Sequence, residues 1–167
     1  MRAHVVVMLL LTAACKTTPD KPVEPEPVTQ PVTAAPDAPA LLLSLKRTPC
    51  FGRCPVYTVE LYADGRLHFE GDANTRERGA HEGRLTPEQV AAVTARVEAS
   101  DFATWKTSYE KHTVTDLPGA VLTWKGKTIR HYHGDESAPT DLMALETDLD
   151  VLLGTSVWIR GEEASDR

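Results

Sequence analysis

The sequence predicts an α+β fold: a mostly antiparallel sheet of about five to six strands covered by two helices. Three observations predict it. Apolar and polar residues alternate in short runs joined by tight glycine turns, the signature of hairpins. Two segments carry an apolar stripe at helical spacing and are bracketed by start and stop residues. The order of these segments, β-β-β-β-α-β-β-α with short loops, shows neither a repeat nor the βαβ alternation of a parallel sheet.

Taken in order, Leu41–Leu45 is a short apolar run ahead of Pro49 and reads as a first strand. Tyr57, Val59 and Leu61 alternate with Thr58 and Glu60, a half-buried strand. The turn Ala63-Asp64-Gly65 follows, then Leu67, His68 and Phe69. A two-residue turn sets Leu61 opposite His68. A three-residue turn with Gly65 left-handed sets Leu61 opposite Leu67 and Val59 opposite Phe69, and the hydrophobic pattern selects it. That register puts His68 beside Glu60 on the wet face. Residues 76–85 are polar and glycine-containing, consistent with an edge strand. Thr86, Pro87 and Gln89 form a helix start with a capping box, Leu85 and Val90 are spaced as a staple, and Val90, Val93 and Val97 line one face. Leu117-Pro118-Gly119 is a turn. Val121–Trp124 and Lys127–Tyr132 form a hairpin across Lys125-Gly126 that pairs Leu122 with Ile129. A last helix starts near Ser137 to Pro139, presents Leu142, Leu145, Leu149 and Leu152, and stops at Gly154.

The chain has 167 residues, is 41% hydrophobic and 25% charged, and carries a net charge of -6 from 18 Lys+Arg against 24 Asp+Glu. This is an ordinary globular composition. It lacks the basic excess of a nucleic-acid binder, and none is expected as a partner. Before the domain come two other segments. Residues 1–14 combine Arg2, the apolar run Val5–Leu11 and small residues before Cys15, as in a secretory signal peptide. The run is far short of the ~20 residues that span a bilayer. Cys15 after Ala13-Ala14 resembles a lipoprotein lipobox, with Thr12 where leucine is usual. The resemblance implies lipidation of Cys15, and each buried methylene of the acyl chains contributes roughly 0.8 kcal/mol of anchoring. Residues 15–39 hold seven of the chain's 12 prolines (Pro19, Pro22, Pro25, Pro27, Pro31, Pro36, Pro39) and no aromatic residue. They read as a disordered tether whose extended length is on the order of 75 Å. The expected globular domain is 40–160, followed by a polar tail over 161–167. The expected address is the bacterial cell envelope, at the outer membrane facing the periplasm, with the membrane engaged through the lipid.

Two groups of residues are candidates for chemistry. With Cys15 assigned to lipid, Cys50 and Cys54 remain, close together in a Pro-bracketed turn of an exported protein. A structural disulfide is the first reading, contributing about 2 kcal/mol by closing so short a loop. A thiol–disulfide oxidoreductase is another, although the two-residue spacing and βαβ setting of thioredoxin are missing. A metal site is a third. The Cys-x-x-x-Cys-Pro spacing resembles copper-handling exported proteins of the Sco type, where a distant histidine completes the site. This chain lacks their surrounding pattern, and Met143 is its sole methionine inside the domain. His131 and His133 share one strand face, that of Ile129 and Leu122, and are the histidines such a site would use with Cys50 and Cys54. Phe51 and Arg53, if exposed, suit contact with a partner protein. No Gly-x-Ser-x-Gly, dinucleotide, phosphate-loop or zincin motif occurs, so neither a catalytic residue nor a cofactor is expected.

The string Pro49-Cys-Phe-Gly-Arg-Cys-Pro-Val-Tyr-Thr-Val-Glu-Leu-Tyr62, with Asp64-Gly65, Gly71, Tyr109, Asp116, Pro118 and the closing leucine helix, resembles a bacterial exported domain-of-unknown-function family, number 6438 in that series. The resemblance spans most of residues 40–153. It implies a shared fold and an envelope location, and it supplies no activity. The sequence reading is therefore an envelope lipoprotein that presents a small binding domain. The alternatives are a Cys/His copper or zinc protein and a thiol oxidoreductase.

Overall fold

The structure is a computed structural model that describes residues 39–112, 114 and 116–161. The expected signal peptide, Cys15, nearly all of the tether and nearly all of the polar tail lie outside these residues.

Strands β1 (Leu41–Arg47), β2 (Val56–Tyr62) and β3 (Arg66–Ala73) form an antiparallel meander. The β2–β3 register is the one the apolar pattern selects: Leu61 faces Leu67, Val59 faces Phe69, and Glu60 faces His68. Gly65 sits at φ 84°, which lets the turn close through its amide onto the Tyr62 carbonyl at 2.9 Å. His68 lies on the wet face as expected, and its Nδ1 meets Glu82 Oε1 at 2.7 Å on the neighbouring strand β4 (Gly79–Arg84). Helix α1 (Pro87–Glu98) begins as the sequence dictates: the Gln89 amide donates to Thr86 Oγ1, and the Gln89 side chain accepts from the Thr86 amide. Its Val93 and Val97 are buried and Val90 packs against the core.

Strand β5 (Ser108–Tyr109) precedes the hairpin β6 (Gly119–Trp124) and β7 (Lys127–Tyr132), in which Leu122 opposes Ile129. Helices α2 (Thr140–Leu152) and α3 (Ser156–Arg160) close the described chain. The sheet is seven-stranded, in the order β4-β3-β2-β1-β6-β7-β5, with every pair antiparallel except β5 on β7. Two expectations need correction. Seven strands replace five to six because β5 is a two-residue parallel pairing with no periodicity to announce it. Among the described residues three helices replace two, because the chain makes one further short turn of helix beyond Gly154.

One face of the sheet carries the core: Leu43 and Leu45 of β1, Val59 and Leu61 of β2, Leu67 and Phe69 of β3, Leu122 of β6 and Ile129 of β7. Helices α1 and α2 lie over it through Val93, Val97, Leu142, Leu145 and Leu149, Leu152 packs half-buried against it as expected, and Leu153 is buried beyond the helix. Arg96 of α1 joins them at the surface, with Nε 2.7 Å from Asp148 Oδ2 and Nη2 3.0 Å from Asp141 Oδ1. Trp158 of α3 stacks on Phe69 with ring centroids 4.9 Å apart, covering β3. Among the described residues no helix is long and apolar enough to cross a membrane.

Candidate functional site

At one end of the covered face the core turns polar. The strand registers align Tyr57 with Arg47, Arg47 with Ala120, Ala120 with His131, and His131 with Tyr109, a single row across five strands. Arg47 belongs to the inward phase of β1, two residues after Leu45 and four after Leu43. His131 belongs to the inward phase of β7, two residues after Ile129. The His133 amide donates to the Pro118 carbonyl at 3.0 Å, so the chain keeps that phase one step past the strand and His133 follows His131. Between Arg47 and His131 stands Ala120, whose single methyl leaves room above the sheet for a side chain from α2.

That side chain is Glu146. It lies on the inward stripe of α2, four residues after Leu142 and three before Leu149, and is fully buried. Its Oε1 meets His131 Nδ1 at 2.8 Å and its Oε2 meets His133 Nε2 at 2.9 Å. Arg47 Nη1 donates to Oε2 at 3.0 Å, and Nη2 donates to the Glu146 backbone carbonyl at 2.9 Å. One helical turn on, Asp150 Oδ2 accepts from Arg47 Nη2 at 2.6 Å and Nε at 3.1 Å. The Tyr57 hydroxyl donates to Asp150 Oδ1, and Thr155 Oγ1 lies 3.3 Å from the same oxygen. Among the described residues no buried side-chain nitrogen or oxygen lacks a hydrogen-bond partner, as burial requires.

Burial alone pushes the Glu146 carboxyl up; the hydrogen bonds from both imidazoles and the charge of Arg47 outweigh it and hold the group down at about 2. Burial likewise works against the Arg47 charge, and Asp150, Tyr57 and Glu146 reverse it, so the guanidinium is held above its ordinary value. The Tyr57 phenol is pushed well up by burial and by the Asp150 carboxylate, and stays a neutral donor. His131 packs edge-on against Tyr109 at 6.5 Å and lies 4.9 Å from the His133 ring.

The disulfide loop is a separate feature. Cys50 and Cys54 are bonded, with α-carbons 5.8 Å apart, within the span such a bond requires. The loop leaves β1 three residues after Arg47 and enters β2 three residues before Tyr57. It is braced from both sides: the Phe51 amide donates to the Asp116 carbonyl at 3.1 Å, and Asn74 Nδ2 donates to the Cys54 carbonyl at 3.0 Å. Phe51 stands 88% exposed and Arg53 is exposed beside it.

The four-residue set expected for a soft metal is therefore divided. Cys50 and Cys54 are joined to each other, while His131 and His133 converge on Glu146 instead. Among the described residues these last three are a group whose ligand atoms lie within 4.8 Å of one another. Sequence reasoning missed Glu146, Arg47 and Asp150. A signal for them existed, since each places a charge at an inward position of an otherwise apolar strand or helix face. His112 packs on Tyr132 with ring centroids 4.3 Å apart.

No curated protein matches the chain. Residues 41–153 match the family described as a domain of unknown function, DUF6438. The match opens on the first residue of β1 and closes one residue after α2, so it takes in the whole sheet, both longer helices, the braced loop and the buried charged row. The chain belongs to the DUF6438 family.

Proposed function

We propose that this protein is a lipid-anchored domain of the bacterial cell envelope that acts by binding a partner protein through its disulfide loop. The observation that carries the reading is Phe51, 88% exposed at the tip of a covalently closed loop. An exposed phenylalanine leaves its ring in water, and burying it against a partner recovers that hydrophobic contribution. Here the disulfide and the hydrogen bonds at Phe51 and Cys54 hold it outward. Because the loop is already ordered, docking costs little further conformational entropy. Leu117, 42% exposed next to the Asp116 that receives the Phe51 amide, widens the apolar surface, and Arg53 adds a charged donor of the type that interfaces concentrate.

The rest of the reading supplies the address. Arg2, the run Val5–Leu11 and Cys15 support export and lipidation, and the proline-rich stretch supports a spacer that carries the loop away from an outer membrane into the periplasm. In this setting the Cys50–Cys54 bond is structural.

A photo-activated crosslinker at position 53 of the full chain in its envelope tests the docking. A discrete adduct that Phe51→Ala diminishes, with the melting temperature unchanged, is expected. An adduct of equal yield in Phe51→Ala, or none at all, removes the loop as the binding element. Cys15→Ser tests the anchor: the variant leaves the detergent phase, and its retention there overturns the lipid assignment.

A further inference from the structure

We propose that His131, His133 and Glu146 bind one divalent transition-metal ion of the zinc class, a site independent of the docking loop. The donor set is two imidazole nitrogens and a carboxylate oxygen, all within 4.8 Å of one another. Three such ligands, leaving a further position for water or another small donor, suit zinc. With both cysteines of the loop held in their own bond, the set contains no thiolate, which disfavours the softer cuprous ion.

The geometry is close to that of a loaded site. His131 Nδ1 and His133 Nε2 each approach a different oxygen of the same carboxylate, at 2.8 and 2.9 Å. Zinc with bonds of about 2.0–2.1 Å places tetrahedral ligands roughly 3.3 Å apart, so each imidazole draws back by about half an ångström from the oxygen it now meets, and the most separated ligand atoms, now within 4.8 Å, close toward that spacing. Each imidazole then presents a lone pair where it now meets the carboxylate, with its proton on the other ring nitrogen.

Charge and support point the same way. Glu146 and Asp150 set two carboxylates against the single guanidinium of Arg47. The guanidinium is shared, with Nε and Nη2 engaged by Asp150 and Nη1 by Glu146, so a further cation meets carboxylate oxygens that Arg47 does not saturate. Its bonds to the Glu146 carboxylate and backbone carbonyl fix the carboxylate, as outer partners of metal ligands do. His133 is the partly exposed member, its side chain 18% accessible against 3% for His131 and none for Glu146. The ion enters past His133.

Titration of the full chain in detergent with cobalt(II), a visible stand-in for zinc, tests the site. One equivalent binds, giving the ligand-field bands of a low-coordinate nitrogen–oxygen site without a thiolate charge-transfer band. His133→Ala weakens binding by about tenfold or more, at least the effect of losing an outer-shell partner. His81→Ala, at a surface histidine of β4, leaves it unchanged. Electron spin-echo measurement on the copper(II)-loaded wild-type chain finds two coordinated imidazoles, a readout that needs no variant. Absence of saturable binding, a thiolate band, equal affinity in His133→Ala, loss of affinity in His81→Ala, or fewer than two coordinated imidazoles each overturns the proposal.

Discussion

Helices α1 and α2 lie on the same face of the sheet and are built in opposite ways. Helix α1 is specified by its own neighbourhood: Thr86 caps it, Gln89 closes the box three residues on, and valines at helical spacing provide the buried stripe. Helix α2 has no side-chain cap, and its buried stripe is interrupted by Glu146, with Asp150 one turn later. Its polar partners come from strands far away in the chain: Arg47 precedes Glu146 by 99 residues and Asp150 by 103. The difference teaches where each helix gets its stability. Helix α1 has a share that is present before the sheet assembles; helix α2 depends on β1 and β7 arriving with the hydrogen-bond partners of its carboxylates.

The largest way to break this contrast is Glu146→Gln. The substitution leaves both imidazoles and Arg47 Nη1 facing a buried neutral amide in place of the carboxylate they now share, which costs about 3 to 5 kcal/mol. Urea unfolding of the full chain, with a chelator present, checks it, and a loss below about 1 kcal/mol means that the row is not a stability element. Thr86→Ala is the matched test on α1. Loss of the cap hydroxyl costs about 1 kcal/mol, and Thr86→Ser restores most of it. The smallest effect sharpens the local character of α1. Glu88 is held below its ordinary carboxyl value of 4.5 by a backbone hydrogen bond and the Thr86 side chain. Its contribution is thus present above that value and fades as pH falls through the folded-state value. Titration of the Glu88 carboxyl by NMR should give a value below 4.5 in wild type that rises in Thr86→Ala.

The same contrast explains what could be read from the chain. The β2–β3 register followed from Val59, Leu61, Leu67 and Phe69, since a one-residue slip carries His68 into the core. The α1 start and the Leu122–Ile129 pairing were equally local. Strand β5 could not be read, because two residues carry no period and parallel pairing is decided by where β7 lies. The candidate site was half visible. His131 and His133 stood out by their alternation, yet the expected partners were the cysteines of the loop. Glu146 was hidden by the leucines around it: Leu142, Leu145 and Leu149 make a helix face that reads as core without it. Arg47 was hidden as a charge at the end of a strand. Each was a polar residue in an apolar phase, and only the tertiary fold shows that the two exceptions answer each other.

Strand β1 lies between β2 and β6, and it is the first strand of the domain. The chain therefore enters the sheet through an interior strand rather than along an edge. Over Leu43–Arg47 this strand is laddered to a neighbour on each side. A pull on the N-terminal segment, resisted at the far side of the domain, is directed along β1 and shears both ladders together. The same pull on β4 or β5 at the margins would peel bonds one after another, each of them modest by itself. Under such a load the domain is held by a strand bonded on both sides rather than by one at the margin.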